Sequence, residues 1–277
     1  KNMSKGSAIV FGLNNVDPVH YDGWDGALGQ PENDASVIYQ IASGNGLESK
    51  IFQGNDVTRD NVIGSIREAS RKLVEGDFLF VYYSGHGGQL PDMDGDEEDG
   101  LDETWCLYDG ELIDDELHLL WSEFKKDVRI LVISDSCHSG TVTKAVAGES
   151  EPEGCVKKEM PAEYVRKTYF KNKSFYDNLA SELKEAGASE KEVQAGVLLI
   201  SGCRDEQSSY AFLFDENSAF TTALLKVLSE KPSINYLSLH EEITNELVKR
   251  LKGKQTPNFY ETGQLEPAFL EQSFLTI

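Results

Sequence analysis

Four stretches of the chain are apolar almost without interruption: AIVFGLN at residues 8–14, FLFVYYS at 78–84, RILVISDS at 129–136 and GVLLISGC at 196–203. They are rich in β-branched and aromatic residues and lack the alternation of a strand with one wet face. Each must therefore lie inside a sheet covered on both sides. The intervening segments read as helices. Asn33 or Asp34 can cap one that carries Val37, Ile38 and Ile41, and SKIFQ at 49–53 follows as a strand. Thr58 opens a second, with Val62, Ile66, Ala69 and Leu73 on one face and Gly76 at its end. Asp114 and Asp115 start a third, which turns Leu117, Leu120, Trp121 and Phe124 inward. Strands alternating with helices of this length require right-handed crossovers, so the expected architecture is α/β: a three-layer sandwich with a mainly parallel central sheet.

The 277 residues fit one such domain. Residues 1–143 form its larger part. Residues 195–277 form a smaller part of the same sheet, with a helix at 219–228 and another opened by a capping box of Ser238 and Glu241. Residues 144–194 are mixed in charge and poor in apolar side chains, and read as an insertion, linker or lid. Its exposed Lys and Arg residues are either candidate cleavage sites or plain linker charges.

Charge excludes some partners. Lys and Arg number 26 against 48 Asp and Glu, a formal net charge of -22. Such a field repels phosphate backbones and anionic lipid, so neither nucleic acid nor a membrane surface is expected as a partner. The four cysteines, Cys106, Cys137, Cys155 and Cys203, show neither paired metal-ligand spacing nor the density of a disulfide scaffold. With no apolar run of membrane-spanning length, a cytoplasmic, reducing location is expected.

Two buried strands run into reactive residues: FLFVYYS into SGHGG at 84–88, and RILVISDS into DSCHSG at 135–140. In open α/β sheets the carboxyl ends of the strands are where ligands bind. If these strands are neighbours, His86 faces Cys137. A thiol needs a base to become a thiolate, and the leaving amine needs an acid; an imidazole can be both. Gly85, Gly87 and Gly88 remove bulk beside His86, and the amides of Gly87 and Cys137 are the expected oxyanion hole. Alone, Cys137 would read as a small buried hydrophobe and His86 as a loop histidine; together they point to nucleophilic catalysis.

These residues bring a family into view. YYSGHGG, DSCHSGT, LGQPENDA at 28–35, DGDEEDGLDE, LIDDELH, SGCRDEQSS at 201–209, SAFTTALL at 218–225 and QTPNF together resemble a bacterial metacaspase (orthocaspase), within the caspase-like clan of cysteine proteases, peptidase C14. The resemblance covers nearly the whole chain. It implies a caspase-type sheet, catalytic His86 and Cys137, and cleavage of peptide or protein substrates after Arg or Lys. It also implies a substrate-binding pocket of Asp34, Ser84 and Asp135, whose carboxylates would attract a guanidinium or ammonium. A helix cap for Asp34 and a structural hydrogen bond for Asp135 remain alternatives. Pro31 and Glu32 depart from the family's Cys and apolar residue, which leaves the pocket's fine shape open.

The chemistry needs no cofactor, but the resemblance places calcium ligands at Asp102, Asp114 and Asp115, making calcium a candidate activator. The fourth family position falls on Lys144, whose ammonium repels a cation. The run DMDGDEEDGLDE at 92–103 has Glu97 where a calcium-binding helix-loop-helix needs glycine, and reads as a solvated acidic loop. A zinc site from His86, Cys137 and His138 lacks a fourth ligand. Two further functions share the residues: an inactive caspase-like module that binds basic segments, and a transamidase using the same dyad.

Overall fold

The structure, a computed structural model, describes residues 4–91, 100–137, 152–204 and 207–277. Strands β1 (Gly6–Gly12), β2 (Glu48–Gln53) and β3 (Phe78–Ser84) are followed by β4 (Gly87–Pro91), β5 (Leu101–Leu107) and β6 (Gly110–Ile113). Then come β7 (Arg129–Asp135), β8 (Cys155–Lys157), β9 (Gly196–Ser201), β10 (Tyr210–Phe212) and β11 (Asn258–Gly263). The central sheet runs in the order β11-β9-β7-β3-β1-β2, parallel except for β11. All four apolar runs lie in it, and its four inner strands are those runs.

Because side chains alternate across a strand, the sheet feeds two separate cores. Ala8 and Val10, Phe78, Phe80 and Tyr82, and Leu131 and Ile133 face one side. Helices α1 (Pro31–Gly44), α6 (Ala219–Glu230) and α7 (Tyr236–Leu251) cover that side with Ile38, Phe220, Leu224 and Ile243. Ile9 and Phe11, Leu79, Val81 and Tyr83, and Ile130 and Val132 face the other. There α2 (Arg59–Lys72) and α3 (Asp114–Ser122) supply Val62, Ile66, Leu120 and Trp121. Each fully buried side chain of this size contributes roughly 1.5–3 kcal/mol, so the two cores specify which residue of every strand faces which layer.

Thr58 caps α2 by accepting the Asn61 amide at 3.2 Å, as its sequence suggests. Two other expected helix starts are displaced. Pro31 occupies the first turn of α1 and Gln30 precedes it, so neither Asn33 nor Asp34 is the cap. Proline is preorganised for that position and lacks the amide that would need a cap. In α7, Asn235 takes the cap by accepting the Ser238 amide at 2.9 Å, and Tyr236 begins the helix ahead of the expected capping box.

The larger correction concerns residues 144–194. From residue 155 this segment carries β8, α4 (Ala162–Lys171) and α5 (Lys173–Ala186), while 144–151 lie outside the described residues. Tyr169, Tyr176 and Leu183, spaced by seven, pack on Leu90 and Ile113 of the small antiparallel sheet β4-β5-β6. The segment looked poor in apolar residues because each of its helices buries only a narrow stripe. Among the described residues no helix is long and apolar enough to cross a membrane.

Candidate active site

Neighbouring β3 and β7 are in register at their carboxyl ends, where Ser84 lies opposite Asp135. Two residues further along each chain come His86 and Cys137, both buried. The loop carrying His86 is pinned by the Tyr83 hydroxyl, which donates to His86 O at 2.8 Å and Cys106 O at 3.0 Å. Gly85 and Gly88 are small for internal reasons: a Cβ would lie 2.4 Å from the Tyr83 hydroxyl at Gly85 and 2.8 Å from Glu111 Oε2 at Gly88. Their lack of bulk serves the fold rather than substrate approach.

His86 Nε2 lies 2.9 Å from Gly26 O. A carbonyl only accepts, so Nε2 carries the ring proton and Nδ1 the lone pair. Trp24 packs against the ring with centroids 4.8 Å apart. Nδ1 is buried and makes no well-formed hydrogen bond among the described residues, although the Glu159 backbone lies against the ring. Burial lowers the pKa of His86 to about 4, opposed by the Gly26 carbonyl. The imidazole is thus a neutral base.

Cys137 Sγ lies 3.0 Å from Gln207 O and 3.3 Å from Glu159 Oε2. Cys203, to which the sequence assigned no chemistry, is its sulfur neighbour: hydrogen bonding with Cys137 is the leading reason its own thiol is pushed well above the usual range. The amides of Gly87 and Cys137 converge on a single oxygen, the carbonyl of Lys158, at 3.0 and 3.2 Å.

Asp34, Ser84 and Asp135 also come together, all fully buried. Asp34 Oδ1 accepts from the Ser218 amide at 3.1 Å and Asn217 Nδ2 at 2.9 Å, while Oδ2 accepts from Ser84 Oγ at 2.8 Å. Ser218 Oγ sits between the two carboxylates, bonding Asp34 Oδ2 and, at 2.6 Å, Asp135 Oδ2. Thr221 Oγ1 and Ser209 Oγ donate to Asp135 at 2.7 and 3.1 Å. Into this pocket reaches Lys158, with Nζ 2.9 Å from Asp135 Oδ1, 2.8 Å from Ser84 Oγ, 3.3 Å from Ser218 Oγ and 3.9 Å from Asp34 Oδ2. Burial raises the Asp34 pKa, with Lys158 opposing it and Asp135 adding to it. The place therefore suits a cation and rejects an anion.

Strand parity explains the assembly. Tyr82 and Ile133 face the α1 and α6 layer, so Ser84 and Asp135 do too, where Asp34 and Ser218 stand at the starts of those helices. Sequence reasoning named Asp34, Ser84 and Asp135 but missed Ser209, Ser218, Thr221 and Lys158. The first three lie within the quoted motifs, and Lys158 in the presumed linker.

The three acidic residues matched to calcium lie on β5 and at the start of α3. Asp102 is buried in β5 opposite Leu90, whereas Asp114 and Asp115 open α3 and line a separate cleft with Glu103 and His118. Among the described residues no three His, Cys, Asp or Glu side chains gather as metal ligands. No step below passes through a metal ion. Residues 92–99, His138 and Lys144 lie outside the described residues.

Known proteins resemble this chain in sequence and in fold. Metacaspase-1 of Saccharomyces cerevisiae is 30% identical over 285 residues, covering 89% of this chain and 64% of the yeast protein. Metacaspase-1 of Candida glabrata is 31% identical over 223 residues, covering 71% of this chain and 56% of its own length. The chain thus spans about three fifths of these relatives. The crystal structure of protein GSU0716 from Geobacter sulfurreducens superposes with a TM-score of 0.85 at 43% identity, covering 97% of both chains. The profile of the caspase domain, peptidase C14, matches residues 5–269, and the chain belongs to that family.

Proposed function

We propose that this protein is a cysteine endopeptidase that cuts peptide bonds after Lys or Arg. One observation carries the reading: a basic side chain fills the acid-lined pocket while its own carbonyl oxygen rests on the Gly87 and Cys137 amides. A residue in that pose presents its carbonyl carbon to the Cys137 sulfur. The pocket selects Lys or Arg because two buried carboxylates lose their compensation when an apolar side chain enters and repel an acidic one.

In this reading His86 Nδ1 takes the Cys137 proton, Sγ attacks the carbonyl, and the amides of Gly87 and Cys137 hold the developing oxyanion. His86 then returns the proton to the leaving amine, giving a thioester that water hydrolyses with His86 again as base. Hydrolysis of fluorogenic Arg and Lys peptides, with Asp peptides inert and Cys137→Ala and His86→Ala inactive, is the expected result. Silence toward all of them would favour a binding module, and a product that forms only with an added amine would favour a transamidase.

A further inference from the structure

Cys203 takes no part in the chemistry above, yet its sulfur lies against the nucleophile. β7 and β9 are parallel, with Ser134 opposite Ser201, and the Gly202 amide donates to Ser134 O at 2.8 Å where the strands end. Cys137 and Cys203 follow shortly after that pair, one on each chain segment. Neighbouring strands run about 4.8 Å apart, inside the roughly 4.4–6.8 Å between Cα atoms that a disulfide bridges. The Cys203 thiol lies 3.8 Å from Ser136 O and hydrogen-bonds Cys137 itself. Both residues are buried and both are reduced. The other two cysteines lie elsewhere, Cys106 in β5 and Cys155 at the start of β8.

We propose that Cys203 is the resolving thiol of an oxidation switch: hydrogen peroxide oxidises Cys137, and Cys203 then closes a Cys137–Cys203 disulfide that silences the site until a thiol reductant opens it. This rests on the endopeptidase reading above, in which Cys137 is the nucleophile. Hydrogen peroxide is nearly as small as the water which that reading brings to the sulfur. His86 Nδ1 takes the Cys137 proton as Sγ bonds to one peroxide oxygen and the O–O bond breaks. That proton goes to the departing hydroxide, giving water and a sulfenic acid on Cys137. Cys203 Sγ next bonds to the Cys137 sulfur, the S–O bond breaks, and the Cys203 proton leaves with the hydroxyl as a second water. Two thiols are oxidised and one peroxide is reduced. The hydrogen bond with Cys137, first, and burial push the Cys203 thiol up, so it stays protonated and unreactive toward peroxide until Cys137 has been oxidised. Holding the second thiol against the first makes disulfide closure intramolecular, and it outruns further oxidation to the irreversible sulfinic acid. Two-electron reduction then returns the nucleophile intact.

Reduced wild type, Cys203→Ala, Cys203→Ser and Cys155→Ala, with folding verified by circular dichroism, are treated with excess hydrogen peroxide. Each is assayed on an Arg peptide before and after dithiothreitol and mapped by mass spectrometry. Wild type and Cys155→Ala should lose activity by about tenfold or more, show the Cys137 and Cys203 peptides joined at about 2 Da below their summed mass, and regain the starting rate with dithiothreitol. Cys203→Ala and Cys203→Ser should cut the peptide when reduced, then lose that activity to peroxide, gain about 32 Da on the Cys137 peptide and stay inactive after dithiothreitol. Active wild type that keeps its rate in peroxide or loses it without the joined peptides, or Cys203 variants that recover as fully as wild type, would overturn the inference and leave the endopeptidase reading standing. Folded, reduced wild type that cuts no Arg or Lys peptide would remove that reading, and the inference with it.

Discussion

Lys158 Nζ lies 2.9 Å from Asp135 Oδ1 with both side chains fully buried, an ion pair joining the residue after β8 to the end of β7. Two carboxylates share this one ammonium, since Asp34 stands 3.9 Å from it on the other side. Within the pocket, the ammonium of Lys158 offsets the negative charge of the buried carboxylates. Its stability consequences can be measured without any catalysis.

In a Cys137→Ala background, Lys158→Met should cost about 3–5 kcal/mol at neutral pH, the usual penalty for stranding buried charge. The loss should shrink in acid. The folded-state pKa of Asp34 is already raised, by burial first, and removal of Lys158 raises it further. A carboxyl with a raised folded pKa contributes stability that is complete below its unfolded pKa and disappears as pH rises through the folded one. Denaturant melts from pH 4 to 8 should show the gap between the two proteins widening with pH; a constant gap would mean the charge is not the cause.

Asp135→Asn keeps acceptors for Ser218 and Thr221 but removes the charge facing the ammonium. The kcat/KM for Arg and Lys peptides should fall by roughly 30- to 1000-fold, as expected for about 2–4 kcal/mol from a buried charged contact. Peptides with Asp at the same position should stay uncut, since Asp34 remains. Steady-state kinetics on matched peptides decide it, and an unchanged Arg preference would dismiss Asp135 as a selector.

Gly26 positions the base. Its φ is +55°, and a Cβ there would come 3.1 Å from His86 Cδ2 and 3.1 Å from Trp24 Cζ2. Gly26→Ala should tilt the ring away from Gly26 O and lower kcat by roughly 10- to 100-fold with KM little changed. A variant whose melting point drops while kcat per folded molecule holds would show a purely structural role.

Glu111 lies behind the His86 loop with its pKa raised from 4.5 to about 8, mainly by burial. Its contribution to stability is complete below pH 4.5 and is lost as pH climbs toward 8. Glu111→Gln cannot ionise, so it should match wild type in melts near pH 4.5 and exceed it by on the order of 4 kcal/mol at pH 8. Parallel pH dependence in the two proteins would place the titration elsewhere.

Much of the molecule is written locally. Continuous apolar runs dictate strands buried on both faces, and two of them ending in SGHGG and DSCHSG set His86 and Cys137 at adjoining strand ends. Alternation along those strands even sends Ser84 and Asp135 to one layer, because parity is a property of the chain. Tertiary structure decided what meets that layer: Ser218 and Thr221 come from α6, more than eighty residues beyond Asp135, and local pattern has no means of expressing such a distance. It also decided the fate of Lys158. A lysine in a charged stretch looks like a solvated side chain, and only a buried pocket with two carboxylates makes dehydrating it favourable, a balance that exists once the sheet has closed around it.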